Sequence, residues 1–193
     1  MANTTFDGPV RSRNGFQSIG PGSFVNLTAD TSLTVAAHAG RIMLTNDADG
    51  KFTLPTIIST GGSSNSGPGR DPNNPNTIGT SFKFFVETAA TDMDIKTDGT
   101  DKFVGAVTIG VNNGDYKAFA PVAANDVITM NGTTKGGIVG SIITITAVDA
   151  LKYMVSDCLL IGSGTLATPY ADCLLYTSPS PRDRTRSRMP SSA

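Results

Sequence analysis

The sequence predicts an all-β domain from two features. The first is a succession of ten short runs rich in β-branched and aromatic residues, which cover 24–28, 33–37, 41–45, 51–54, 81–87, 102–110, 116–120, 126–130, 141–148 and 152–162. The second is a set of Asn-Gly and Asp-Gly dipeptides, which tolerate the positive φ angles of tight turns, among them five that begin at Asn14, Asp49, Asp98, Asn113 and Asn131. No run has a helical period. We therefore expect an antiparallel β-sandwich or barrel, jelly-roll-like, with roughly eight to ten strands.

The run at 141–148 shows strand alternation most clearly. One face is expected to carry Ile143, Ile145 and Ala147, and the other Thr144, Thr146 and Val148. Both faces consist mostly of residues that favour strands. This pattern is typical of a strand inside a sandwich or barrel.

The length and the local composition predict one domain with two irregular segments. A chain of 193 residues is long enough to bury roughly 70% of the surface of its unfolded form. Residues 1–22 are polar and rich in turn formers, which predicts an extended N-terminal arm. Residues 59–80 contain five glycines, three prolines and four asparagines, a composition that buries too little apolar surface to offset its ordering entropy. We predict a single all-β domain over 23–172, with a mobile exposed loop at 59–80.

The segment 173–193, CLLYTSPSPRDRTRSRMPSSA, differs from the rest of the chain in charge. It holds four arginines against one aspartate, whereas residues 1–172 hold 11 basic and 15 acidic residues. All 21 of its residues resemble the translation of a transposon-end adapter used for sequencing libraries. We therefore interpret 173–193 as an artefactual, disordered tail outside the fold. The acidic remainder gives no electrostatic reason to expect nucleic-acid binding.

Cysteine usage and hydropathy suggest a protein made and kept in a cytosol. Cys173 belongs to the adapter-like tail, so Cys158 is the one cysteine of the predicted domain and is expected to be a half-buried small hydrophobe in a strand. The N-terminal residues lack the apolar stretch of a signal sequence. No apolar run approaches the roughly 18 residues of a membrane span.

No group of residues predicts catalysis, so we expect the chain not to be an enzyme. His38 is the only histidine and Glu87 the only glutamate, and no GxSxG motif is present. A structural or surface role is the favoured interpretation of His38. No catalytic, cofactor-binding or metal-binding residue is assigned.

Two aspartate-rich segments and one glycine-rich segment leave binding alternatives open. NDADG (46–50) and TDMDIKTDGTD (91–101) have the oxygen spacing of a calcium site but do not complete an EF-hand loop. The favoured interpretation is that these aspartates occupy turns and keep sheet edges soluble. NGTTKGGIVG (131–140) lacks the GK[ST] ending of a phosphate-binding loop. We interpret it as a hairpin turn with close backbone packing.

Six segments of the chain form a recognisable series of strand and turn signatures, which are MANTTFDGPVRSRNGF (1–16), KFTLP (51–55), FKFFVET (82–88), KFVGAV (102–107), NGTTKGG (131–137) and SGTLATPY (163–170). Together they resemble a family of small structural proteins encoded beside the capsid genes of tailed bacteriophages, particularly marine ones. The resemblance covers most of residues 1–172. The polar insertion at 61–75 has no counterpart in it.

This resemblance implies a virion protein, such as a capsid decoration, stabilising or minor head protein, and provides no catalytic residues. The expected partners are the major capsid protein or other virion proteins, with no nucleic acid, membrane or cofactor. We expect a homo-oligomer, with three-fold symmetry preferred, located in virions assembled in the host cytoplasm. Two alternatives remain: a tail-fibre or receptor-binding β-module, and a cellular surface carbohydrate-binding or adhesin domain, which would need export.

We predict that truncation after Asp172 leaves the melting temperature unchanged within error, because the adapter-like tail should contribute no packing to the domain. Differential scanning calorimetry of the full and truncated chains measures this directly. A drop of several degrees in the truncated chain would show that the tail belongs to the fold.

Overall fold

The computed structural model describes residues 21–59 and 77–172. Over these residues the chain consists of strands and turns, with one four-residue α-helix and one 3-10 turn, so the all-β prediction is confirmed. The predicted N-terminal arm at 1–22 lies outside the described residues except for Pro21 and Gly22, which belong to the 3-10 turn. Residues 60–76 of the predicted loop and the predicted tail at 173–193 also lie outside them.

The described residues contain thirteen strands and the helix α1 (Val35–His38). The strands are β1 (Phe24–Leu27), β2 (Thr31–Ser32), β3 (Ile42–Thr45), β4 (Lys51–Thr53), β5 (Ser81–Val86), β6 (Met93–Lys96), β7 (Lys102–Gly105), β8 (Val107–Gly110), β9 (Tyr116–Phe119), β10 (Val127–Met130), β11 (Ile142–Asp149), β12 (Lys152–Ile161) and β13 (Tyr170–Ala171).

These strands form two sheets. The larger sheet has eight strands in the order β1-β3-β5-β11-β12-β8-β9, with β7 also paired to β12. The smaller sheet has five strands in the order β13-β10-β6-β4-β2. Each sheet has an edge strand at both ends of this order, so neither sheet closes on itself. The barrel alternative is therefore wrong.

Both sheets are mixed, so the predicted purely antiparallel arrangement is also wrong. Strands β1, β3 and β5 run parallel in the larger sheet, and β2, β4 and β6 run parallel in the smaller sheet. The chain crosses from one sheet to the other after each of its first five strands. Every second strand therefore returns to the same sheet in the same direction, which produces parallel pairs without long crossover helices.

One apolar core lies between the two sheets. The larger sheet contributes residues such as Met43, Phe84 and Ile145, and the smaller sheet contributes residues such as Phe52 and Ile128, all of them fully buried. The rings of Phe52 and Phe84 stack across the interface with their centroids 6.3 Å apart. The two sheets therefore share one core.

The alternation predicted for 141–148 is confirmed. Ile143, Ile145 and Ala147 are completely buried, whereas Thr144 and Thr146 are partly exposed on the opposite face. Because side chains alternate along a strand, one face of β11 packs in the core and the other points away from it.

The run at 33–37 was predicted to be a strand, and this prediction is wrong. The hydroxyl oxygen of Thr34 accepts a hydrogen bond from the Ala37 N–H at 3.3 Å and caps α1 (Val35–His38). The Thr34 N–H donates to Nδ1 of His38 at 2.9 Å, which closes the same turn. Local capping therefore overrides the strand preference of Val35.

Residues 77–80 were predicted to belong to the mobile loop, but they are bound to the sheets. The Thr77 N–H donates to the Ile58 carbonyl at 2.9 Å, and the Thr77 hydroxyl accepts from the Ile58 N–H at 2.9 Å. The Gly79 N–H donates to the Ala147 carbonyl at 2.7 Å. The described residues on either side of 60–76 are therefore held next to each other.

Of the five turn dipeptides, that at Asn14 lies outside the described residues. Three others are confirmed, since Gly99, Gly114 and Gly132 have positive φ angles. Gly50 does not, although a Cβ there would lie 2.6 Å from the Phe52 ring. Glycine at position 50 is thus required by close packing instead of by backbone conformation.

A β-bulge divides β12 into two halves. Ser156 is opposite Thr144 and Leu159 is opposite Ile142, so β12 has one extra residue between these pairs, where Asp157 has a φ of 40°. The first half of β12 pairs with β7 and the second with β8. The predicted single strand at 102–110 is correspondingly broken at Gly105, which has a φ of 90°.

We predict that Gly105→Ala destabilises the fold by about 2 kcal/mol or more, because of the positive φ and because the new Cβ would lie 2.6 Å from the Val155 carbonyl oxygen. Gly110→Ala is the matched control, since the nearest atom to its new Cβ is Leu159 Cδ1 at 3.8 Å. Urea unfolding of both variants measures the difference. Equal stability of the two variants would contradict the described break between β7 and β8.

Candidate functional site: an apolar sheet face

The two sheets present very different faces to the outside. In the smaller sheet, most core side chains alternate with outward-facing polar ones, which are Lys51, Thr53, Asp94, Lys96 and Thr129, whereas Val127 is a buried apolar exception opposite Lys96. This is the alternation expected when one face of a sheet packs in the core and the other faces water. The outer face of the smaller sheet is therefore mostly polar.

The outer face of the larger sheet carries a row of apolar side chains. Leu44 on β3 is opposite Phe85 on β5, Phe85 is opposite Ile142 on β11, and Ile142 is opposite Leu159 on β12. We call Leu44, Phe85, Ile142 and Leu159 the apolar stripe. It crosses four adjacent strands, and its neighbours are close enough to form a continuous surface.

Further apolar and weakly polar side chains flank the apolar stripe. Phe24 on the edge strand β1 is 48% exposed and lies opposite Ile42, which also faces outward, and Leu159 itself is 50% exposed. Among the outward positions of β3, β5 and β11 up to Val148, Lys83 is the only charged side chain. These three strands therefore present few of the charges that normally line a solvent-exposed sheet.

Leu44, Phe85 and Ile142 are partly exposed and Leu159 is half-exposed, so the apolar stripe is a continuous, partly exposed apolar surface, a feature common at interaction sites. The sequence contained its signal, because the runs at 41–45, 81–87 and 141–148 have strand-forming residues on both faces. For 141–148 we interpreted that pattern as a strand inside a sandwich or barrel, and the outward apolar face of the larger sheet was not predicted. The pattern alone does not distinguish a second layer of the same chain from a separate partner.

Two aspartates of the segment 91–101 form salt bridges and are not free to act as metal ligands. Nζ of Lys51 lies 3.0 Å from Asp92 and 3.1 Å from Asp94. Partial burial of the ammonium group opposes its charge, but the bonds to these two carboxylates outweigh burial and raise its pKa. Asp92 and Asp94 therefore already have a cationic partner.

Asp98 and Asp101 anchor the chain just before residue 58. Asp98 accepts from the Thr56 hydroxyl at 2.7 Å, and fully buried Asp101 accepts from the Ile57 N–H at 2.8 Å. Burial raises the pKa of Asp101. Burial also opposes ionisation of Asp98, but the hydrogen bonds that Asp98 accepts, first among them that from the Asp101 N–H, outweigh it and lower the pKa of Asp98. These contacts are structural.

The described residues include no group of three or more His, Cys, Asp or Glu side chains placed to hold a metal ion. Within 46–50, the neighbouring Asp49 side chain raises the pKa of Asp47. Glu87 accepts from Asn46 Nδ2 at 2.9 Å. In the segment 91–101, Asp98 Oδ1 accepts from the N–H groups of Thr100 and Asp101, as the predicted turn role of an aspartate requires.

The remaining candidates from the sequence have structural positions. His38 ends α1 and accepts the Thr34 N–H, as a structural histidine would. Cys158 is partly buried on β12, and burial raises its pKa to about 11, so the predicted half-buried hydrophobe is confirmed. Asn131 Oδ1 accepts from the N–H groups of Thr133 and Lys135, so the segment 131–140 begins with a local turn. It joins β10 to β11, which lie in different sheets, so the predicted hairpin between paired strands is wrong.

A groove of about 510 Å³ lies at the end of the larger sheet, between the β8–β9 connection and the loop after β12. We call it the Tyr116 groove, and its lining includes Asn112, Asn113, Asp115, Tyr116, Ser163 and Thr165. A second depression, of about 460 Å³ and mostly apolar, lies between residues 103–106 and 120–123. Only the first groove combines an exposed aromatic ring with polar side chains.

Comparisons with known proteins add no relative. No protein-family model matches the chain, and neither a curated protein nor a solved structure matches it significantly. Within the described residues, no helix is long and apolar enough to cross a membrane.

We predict that Leu160→Ala destabilises the fold by about 2–5 kcal/mol, whereas Leu159→Ala changes stability by only about 0.5 kcal/mol. Leu160 is completely buried and the adjacent Leu159 is 50% exposed on the outer face. Urea unfolding of the two single variants measures both values. The reverse order would mean that β12 is shifted by one residue and that Leu159 does not belong to an exposed stripe.

Proposed function

We propose that this chain is a structural protein of a tailed-bacteriophage virion, acting as a capsid decoration, stabilising or minor head protein. Two observations support the proposal. The strand and turn segments resemble small proteins encoded beside phage capsid genes, and the larger sheet exposes the apolar stripe. The stripe carries the proposal, because an exposed apolar sheet face is explained by a protein partner that covers it.

In this proposal the two packed sheets form a rigid sandwich with different outer faces. The larger sheet faces the major capsid protein or another virion protein through the apolar stripe. The smaller sheet, with Lys51, Asp94 and Lys96 outward, faces solvent. Burial of an apolar surface of this kind stabilises a complex without a pocket or a catalytic residue, and we propose no enzymatic role.

The N-terminal residues join the domain beside this same face. Pro21–Ser23 leads directly into β1, which is an edge strand of the larger sheet and carries exposed Phe24. We propose that residues 1–22 add to a neighbour in the shell, since a strand added to an exposed sheet edge gains main-chain hydrogen bonds. Such pairing suits a homo-oligomer, for which three-fold symmetry is preferred.

The tail-fibre or receptor-binding alternative is favoured by one specific observation. Tyr116 is 74% exposed and lines a groove with several polar side chains, as receptor-binding surfaces often require. That alternative predicts binding to host cells, whereas the capsid proposal predicts binding to shells. The cellular adhesin alternative has no observation of its own in the described residues.

We predict that the full chain co-sediments with shells assembled from the major capsid protein encoded beside its gene, and that Leu159→Lys lowers the bound fraction at least tenfold. A lysine in the apolar stripe would have to lose its hydration when the face is covered. The matched control is Thr129→Lys, which adds the same side chain to the outer face of the smaller sheet and should bind like the unmodified chain.

Two results would contradict the proposal. If Leu159→Lys and Thr129→Lys bind shells equally well, the apolar stripe is not the contact surface. If the unmodified chain does not sediment with shells but binds host cells, the receptor-binding alternative replaces the capsid role.

A further inference from the structure

We propose that the Tyr116 groove binds neutral saccharide units of a glycan. The proposal does not depend on shell binding, because the groove and the apolar stripe involve different residues. It rests on the shape of the groove, on its exposed aromatic ring and on the chemistry of its polar lining.

The groove has the size of a small-molecule site. Its volume of about 510 Å³ falls within the roughly 300–1,000 Å³ that such sites usually occupy. One wall is the turn at 111–117, and the other is the loop at 163–166. The groove is open to solvent, so it suits a ligand that enters from the surface, such as one or two sugar units of a longer chain.

Tyr116 provides the apolar contact. It is 74% exposed, which makes it the most exposed of the large hydrophobic residues in the described part of the chain. An aromatic ring in this position gains little stability for the fold but offers a flat surface to a ligand. The C–H groups on one side of a sugar ring pack against such a surface, and tyrosine loses little conformational entropy when it does so.

The polar lining matches hydroxyl groups. Sugar hydroxyls both donate and accept hydrogen bonds, and the amides of Asn112 and Asn113 also do both. Ser163 and Thr165, which carry hydroxyl groups, line the opposite wall of the same groove. A saccharide held on the Tyr116 ring would therefore meet suitable partners from both walls.

The walls are already held in place. Asn113 Nδ2 donates to Asp115 Oδ2 at 2.8 Å, and the Asp115 N–H donates back to Asn113 Oδ1 at 3.0 Å. On the other wall, the Ser163 N–H donates to the Thr133 carbonyl at 3.0 Å. Because these groups are fixed before binding, a ligand does not have to order them.

The charges of the lining favour a neutral ligand over an anionic one. Lys117 and Asp115 both line the groove, and their charges oppose each other. Phosphate or sulfate groups usually require several arginines, lysines or backbone N–H groups directed at one point. The lining has no arginine and a single lysine, which argues against a nucleotide or a sulfated glycan.

The test is an array of immobilised neutral and anionic glycans probed with the full chain. The neutral glycan that binds most tightly on the array is then titrated into the unmodified chain and into each variant, and binding is followed by saturation-transfer difference NMR. Tyr116→Ala should weaken binding at least tenfold, whereas Tyr116→Phe should retain affinity within about threefold, because the ring is kept. Val139→Ala, which changes another exposed apolar residue away from the groove, is the control and should bind normally.

A second variant covers the case in which Tyr116→Ala does not fold. Asn112 is exposed, and Asn112→Ala removes one amide from the groove, so it should weaken binding several-fold at an unchanged melting temperature. The proposal is overturned if no neutral glycan on the array binds, if only anionic glycans bind, or if folded Tyr116→Ala and Asn112→Ala both bind like the unmodified chain.

Discussion

The packing of Phe52 from the smaller sheet on Phe84 from the larger sheet lies at the centre of the structure. Both rings are fully buried, and the strands that carry them, β4 and β5, are consecutive in the chain but belong to different sheets. The chain crosses from one sheet to the other at each of its first five connections. Each of these crossings requires the two sheets to remain in contact. The shared core therefore determines both the parallel pairing and the direction in which each outer face points.

The outer faces of the two sheets differ in the polarity of their side chains. The smaller sheet alternates core residues with charged or hydroxyl side chains and is complete as a water-facing layer. The larger sheet has apolar residues on both faces across β3, β5, β11 and β12. The described residues of the chain cover the inner face completely and leave the outer face partly exposed. The exposed face accounts for the proposed role as an assembly subunit, and it leaves the Tyr116 groove available at the end of the same sheet.

Local sequence signals predicted the strands well but not their arrangement. Nine of the ten predicted runs contain strands; the run at 33–37 instead contains α1, where Thr34 acts as a cap. The strand β6 was missed because its segment is rich in aspartate and was assigned to turns, although Met93 and Ile95 alternate regularly with Asp94 and Lys96. The turn at Asp49-Gly50 was identified, yet it joins strands of different sheets, which a dipeptide cannot reveal. The apolar stripe and the Tyr116 groove depend on pairing between distant segments, such as the hydrogen bond from the Gly162 N–H to the Gly110 carbonyl at 2.9 Å.

The central claim is that a protein partner covers the apolar stripe. Hydroxyl-radical footprinting of the free chain and of the chain within assembled particles compares the solvent access of individual side chains. We expect Leu44, Phe85, Ile142 and Leu159 to become protected in the particle, while Thr129 and Lys96 on the opposite face remain as reactive as in the free chain. Unchanged reactivity of the stripe together with protection of the smaller sheet would contradict the claim.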